Sequence, residues 1–116
     1  MGLGVETTEY GVVTVLTLRG EIDLASAPPL RQALVEAADR VGVVVVVDLD
    51  EVEFIDSTGL GVLIGGLKRA RTSGGDLMLV CTQPRIIRLL EMTRLDRALE
   101  VHSTVAEAAA AAVAPK

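Results

Sequence analysis

Aromatic side chains are almost missing from this chain: among 116 residues only Tyr10 and Phe54 carry one, and there is no tryptophan. With hydrophobic residues at 50 %, the core must be built from Val, Leu, Ile and Ala. Cysteine is equally scarce. Cys81 stands alone, which excludes an intramolecular disulfide and fits a reducing compartment. The run Leu77-Met78-Leu79-Val80 leading into it reads as a buried strand, so Cys81 fills core space and is not a reactive thiol. No apolar run approaches the roughly 18 residues a membrane span requires. The first ten residues have neither the basic region nor the apolar centre of a signal peptide, and Glu6 spoils a myristoylation reading. Cations are in deficit, 11 against 16 acids, and a net charge of −5 argues against nucleic acid as a direct partner. The one basic segment, Arg85, Arg88, Arg94 and Arg97, is read as a solvated helix face. These absences describe a soluble cytoplasmic protein, one domain over residues 1–116 with order from about 4 to 112. Its length suffices to bury roughly two thirds of the unfolded surface.

What is present is concentrated between Val43 and Lys68. Five consecutive valines ending at Asp48 predict a strand buried on both faces, since β-branched side chains suit a pleated surface and nothing polar interrupts them. Asp50, Glu51 and Glu53 then read as a short acidic connection, with Phe54 and Ile55 as an apolar grip before Asp56. From there the period changes. Leu60, Leu63, Ile64 and Leu67 make one stripe of an amphipathic helix, and Asp56 and Ser57 are N-cap types directly ahead of it. Ser57 is thereby placed at an exposed helix start, where unpaired N–H groups and the helix dipole favour negative charge. A phosphate there would be tolerated by the fold. Against Asp50, Glu51, Glu53 and Asp56 it would also change the local field sharply for a partner.

The remaining elements follow in order. Val5 to Glu9 and Val12 to Arg19 predict a hairpin turning at Tyr10-Gly11, and Gly20 to Ala25 a loop. Ser26, Pro28 and Pro29 mark a helix start, with Leu30, Ala33, Leu34, Ala37, Ala38 and Val41 as its stripe and Gly42 as its stop. Gly74-Gly75 closes the Ser57 helix, and Lys68, Arg69 and Arg71 suit the negative end of its dipole. Asp76 to Cys81 is a strand, Pro84 to about Met92 a helix, and Leu99 to His102 a short edge strand. Thr104 and Glu107 have capping-box spacing for a last helix, whose tail beyond Ala112 should fray. After the hairpin, strand and helix alternate, which predicts an α/β fold with a mostly parallel sheet of about five strands and about four helices.

The segment Gly20-Glu21-Ile22-Asp23, the strand ending Val47-Asp48-Leu49, and above all Phe54-Ile55-Asp56-Ser57-Thr58-Gly59-Leu60-Gly61-Val62-Leu63 resemble the anti-sigma factor antagonists, which are single STAS domains. The likeness runs from about Val5 to Ala109. It implies the STAS fold and Ser57 as phosphoacceptor, with Glu21, Asp23, Asp56, Thr58, Gly59, Leu60 and Gly61 facing the partner. That partner would be an anti-sigma factor serine kinase that holds the ATP itself, and a phosphatase would reset the switch. No cofactor, metal, membrane or catalytic role is implied. A STAS sensory or scaffold module, binding a small ligand or assembling a complex without phosphotransfer, is the alternative.

Three other readings compete on the residues. Gly59-Leu60-Gly61 with Gly65-Gly66 suggests a dinucleotide fingerprint, but its glycines should follow the strand at once, and here an acidic segment intervenes. Gly61, Gly65 and Gly66 are better explained by close helix packing or by a partner on the outer face. A hydrolase would need a base for Ser57, and the only histidine, His102, sits at a strand end, with no Gly-x-Ser-x-Gly elbow. Asp48, Asp50, Glu51, Glu53 and Asp56 could be imagined around magnesium, yet a solvated loop is the simpler state.

Overall fold

The computed structural model describes residues 2–114. Its sheet is assembled in chain order from β1 (Leu3–Tyr10), β2 (Val13–Ile22), β3 (Val44–Ile55), β4 (Asp76–Val80) and β5 (Glu100–His102). β1 runs antiparallel to β2 and every later pairing is parallel, as a hairpin followed by strand–helix alternation requires. The crossovers are α1 (Ala27–Ala37), α2 (Ser57–Thr72) and α3 (Pro84–Met92). A 3₁₀ turn at Leu95–Arg97 leads into β5, and α4 (Val105–Val113) closes the fold.

The two faces of the sheet are covered differently. Leu16 and Leu18 of β2 and Val45, Val47 and Leu49 of β3 pack with Leu30, Leu34, Leu63, Leu67, Ile86 and Leu90 of the three crossover helices. The alternate residues Val13, Val15, Val46, Met78 and Val80 point the other way and meet Ala108 of α4. The alternation along β2 therefore sorts residues between two cores. Buried leucines and valines with almost no rings fill both, and covering each such side chain contributes about 1.5–3 kcal/mol.

Several boundaries differ from expectation, each for a local reason. The hairpin turns at Gly11-Val12 because Tyr10 pairs with Val13, and Gly11 supplies the positive φ of 59° that a two-residue hairpin loop demands. The stretch Gly20 to Ala25 is a loop only from Asp23, since Gly20, Glu21 and Ile22 remain paired to β3. Helix α1 stops at Ala37, so Val41, the last member of its stripe, is 92 % exposed and Gly42 belongs to the turn into β3. Helix α4 extends to Val113, one residue into the tail expected to fray, and Pro115 and Lys116 of that tail lie outside the described residues.

The largest correction concerns the acidic connection, which is strand. β3 continues to Ile55, pairing Arg19 with Glu51, Gly20 with Val52, Glu21 with Phe54 and Ile22 with Ile55. Between Thr17 and Arg19, and again between Gly20 and Glu21, β3 advances one residue more than β2. Two bulges therefore space the inward residues Leu49, Val52 and Ile55 three apart, which hides the strand from a search for period two.

Candidate functional site

The bulged end of β3 delivers the chain to α2 with a single residue between them. Asp56 is that residue, extended at φ −111° and ψ −175°, and its Oδ1 accepts from the Gly59 N–H at 3.0 Å. Its own N–H donates to the Ile22 carbonyl at 3.1 Å, and the Leu60 N–H donates to its carbonyl at 3.0 Å. One aspartate thus caps the helix and ties it to the end of β2. Ser57 follows as the first helical residue and is exposed, as the capping signal predicted; Thr58 is half-buried.

The other side of the site is the turn after β2. Ser26 Oγ donates to the Glu21 carbonyl at 2.8 Å and accepts from the Asp23 N–H at 2.9 Å, while Asp23 Oδ1 accepts from the Ser26 N–H at 3.0 Å. Ser26 therefore latches the turn and gives no side-chain cap to α1. Because Glu21 pairs with Phe54 and Ile22 with Ile55, the turn bearing Glu21 and Asp23 lies beside the start of α2. The structure brings Glu21, Asp23, Asp56, Ser57 and Thr58 to one end of the sheet.

Two residues expected at a partner surface are instead interior. Gly59 is buried, and a Cβ built on it would collide with the Ile22 side chain and lie 3.0 Å from the Ile22 carbonyl oxygen. Leu60 is 5 % exposed within the main core. Gly61, by contrast, is exposed, with nothing within 4 Å of the point a methyl group would occupy, as an outer-face glycine should be. Gly65 is equally open, whereas Gly66 packs closely on Leu34 and Leu77.

The acids do not form one cluster. Asp50 Oδ1 accepts from the Thr82 N–H at 2.6 Å and hydroxyl at 3.0 Å, and Glu51 pairs with Arg19 at 3.2 Å. Among the described residues no three His, Cys, Asp or Glu side chains are grouped to hold a metal. The strand's length also changes the dinucleotide question, since only Asp56 separates β3 from α2. What opposes a pyrophosphate is the Asp56 carboxylate itself, already bonded at the helix start. His102 lies on β5 with Nε2 3.3 Å from Glu100 Oε1, a contact that becomes an ion pair when the ring is protonated.

Sequence reasoning missed Gln83, whose Nε2 lies 2.9, 3.1 and 2.7 Å from the carbonyl oxygens of Leu49, Asp50 and Val52. These carbonyls lie on β3 beyond Asp48, where its pairing with β4 has ended, so Thr82 and Gln83, just after β4, clamp the strand that carries the site. Only the position ahead of Pro84 hinted at a special role. Burial raises the pKa of Asp48 above its ordinary 3.8, partly countered by the N–H bond from Asp50 and reinforced by the Asp50 and Glu51 charges. The folded chain then holds that proton more tightly than the unfolded one, so ionised Asp48 costs stability at neutral pH. Asp48→Asn keeps the acceptor oxygen and should melt above wild type at pH 7. The difference should close below pH 3.8, where the carboxyl is neutral in both states, and thermal melts across pH check it.

A STAS domain family model matches residues 4–108. The chain is 34 % identical to an anti-sigma-B factor antagonist of Listeria monocytogenes over 92 % of its length and 95 % of the relative's. It is 36 % identical to an anti-sigma-B factor antagonist of Bacillus subtilis, covering 87 % and 92 %. Among solved structures, an anti-sigma factor antagonist from Mycobacterium paratuberculosis superposes with a TM-score of 0.86 at 28 % identity, covering 95 % of this chain and 93 % of that one. By its five-stranded mixed sheet, its capped serine helix and these matches, the chain belongs to the STAS domain family.

Proposed function

We propose that this protein is a cytoplasmic anti-sigma factor antagonist whose switch is Ser57. Unmodified, it binds an anti-sigma factor that is also a serine kinase, and so releases a sigma factor for transcription. The kinase, using ATP in its own site, phosphorylates Ser57 and ends the interaction; a phosphatase restores it. The protein itself performs no catalysis and contacts neither nucleic acid nor membrane; among the described residues no helix is long and apolar enough to cross a membrane.

The observation that carries this reading is an exposed hydroxyl on the first residue of a capped sixteen-residue helix. The Asp56 carboxylate takes the Gly59 N–H, and the first-turn N–H groups of Ser57 and Thr58 have no partner within the helix, so they can receive phosphate oxygens. Negative charge at that end is favourable by about 0.3–1 kcal/mol. The fold need not change for the surface to change. Glu21, Asp23, Asp56, Thr58 and Gly61 make up the rest of the partner-facing surface, and Gly59 and Leu60 support it from beneath.

Intact-mass analysis of the protein purified from its host, followed by peptide mapping, tests the assignment. A single added phosphate on Ser57, absent from Ser57→Ala, is the expected result. Phosphate on Thr58, or persisting in Ser57→Ala, refutes it. A second reading, a module that senses a small ligand without phosphotransfer, is favoured by the apolar groove beside Phe54. A chain never phosphorylated in its host would support that reading.

A further inference from the structure

A groove of about 330 Å³ opens between the end of β3 and α3. Its walls are the side chains of Phe54, Ile55, Ile86, Leu89 and Met92, and its only charged lining residues are Arg85 and Arg88. That composition is typical of small-molecule sites, which are mostly apolar with a few polar groups that set orientation; the volume is at their lower end. Phe54 is the only phenylalanine in the chain, yet it lies 49 % exposed at this groove and not in a core that lacks rings. Met92, on the same wall, is 75 % exposed. Both surfaces would gain by being covered.

The cations narrow the choice of occupant. In a chain of net charge −5 no carboxylate side chain lines the groove, and Arg88 makes no ion pair among the described residues. Arg85 is held in place by an Nη2 bond to the Glu53 carbonyl, which leaves its other N–H groups outside that bond. A neutral lipid would leave these charges unanswered, and a nucleotide would set polar base edges against an apolar wall. At roughly 30 Å³ for each heavy atom, the share a water takes in the liquid, the groove holds about ten.

We propose that this groove binds a medium-chain fatty carboxylate, with the alkyl chain against Phe54, Leu89 and Met92 and the carboxylate on Arg88 and Arg85. A guanidinium offers a planar pair of donors that matches a carboxylate. Phe54 and Ile55 precede Ser57 by three and two residues, so the groove adjoins the switch, and it binds the carboxylate with Ser57 unmodified.

The test is calorimetric titration of the full unphosphorylated chain with octanoate, decanoate and dodecanoate below their micellar concentrations, with decanol as the uncharged probe. One site per chain is expected, tightening about two- to fourfold for each methylene added from octanoate to decanoate. Decanol should bind about tenfold or more weaker than decanoate. Arg88→Glu and Met92→Asp alter exposed side chains, so both should keep the wild-type circular dichroism while losing about tenfold or more in decanoate affinity. Absence of saturable binding overturns the proposal. So does decanoate affinity unchanged in Arg88→Glu, which would remove the charge pairing, or unchanged in Met92→Asp, which would remove the groove.

Discussion

Ser57→Asp should lose the anti-sigma partner while melting within a few degrees of the wild-type protein. The added carboxylate sits on the first residue of α2, where the helix dipole gives back about 0.3–1 kcal/mol, and repulsion from neighbouring Asp56 offsets part of that gain. The net effect on folding is close to zero. At the interface the balance is different, because a partner that fits an uncharged hydroxyl among acids must accept a further uncompensated charge. Like charges brought together in an interface cost several kcal/mol, so affinity should fall by about 2 kcal/mol or more, roughly thirtyfold. Calorimetry against an anti-sigma factor isolated from the host, alongside thermal melts, separates the two effects. A variant that melts far below wild type would mean that the hydroxyl is needed inside the fold. One that binds as tightly as wild type would remove the charge switch.

Gly59→Ala and Gly61→Ala, two residues apart on one helix, should move stability in opposite directions. Alanine for glycine within a helix ordinarily gains about 0.5–1 kcal/mol, and Gly61 has open space for the methyl group. At Gly59 the methyl meets the Ile22 side chain, lies 3.0 Å from the Ile22 carbonyl oxygen and 3.1 Å from Ile55 Cγ1. That carbonyl cannot withdraw easily, since it accepts the Asp56 N–H that fastens the helix start. Overpacking of this kind costs about 1–3 kcal/mol, which offsets the helix gain and leaves a net loss of up to about 2.5 kcal/mol. In a chain of this size the two variants should then differ in melting temperature by roughly 10 °C. Equal melting would show that α2 can slide away from β2. Gly61→Ala, although more stable, should bind the partner less well if the outer face of α2 is part of the interface.

The contrast between these glycines also marks what could be read from the residues alone. The start of α2 was legible because its signals are local: a capping aspartate, a serine and a stripe beginning at Leu60. Helices α3 and α4 were legible for the same reason, Pro84 and Thr104 each announcing a first turn. The acidic half of β3 was not, since its two bulges convert a period of two into a spacing of three and its pairing partner lies some thirty residues back in the chain. Nor does any sequence pattern reveal that Gly59 faces Ile22, or that Gln83 reaches the β3 carbonyls, because both contacts form only when distant strands meet. Local chemistry placed Ser57 correctly at an exposed helix start; the division of its neighbours between surface and interior required the fold.

The order of strands has one more effect. β1 and β5 terminate the sheet, and each rim presents backbone donors and acceptors to which another chain could add a strand. β5 offers only three residues, too short a template for such growth. β1 offers eight, but Glu6 and Glu9 stand along it, held by Arg19 and Arg40 at 3.4 Å each. Charge on an open rim disfavours edge-to-edge aggregation, so the longer of the two open edges is the one that carries the protection.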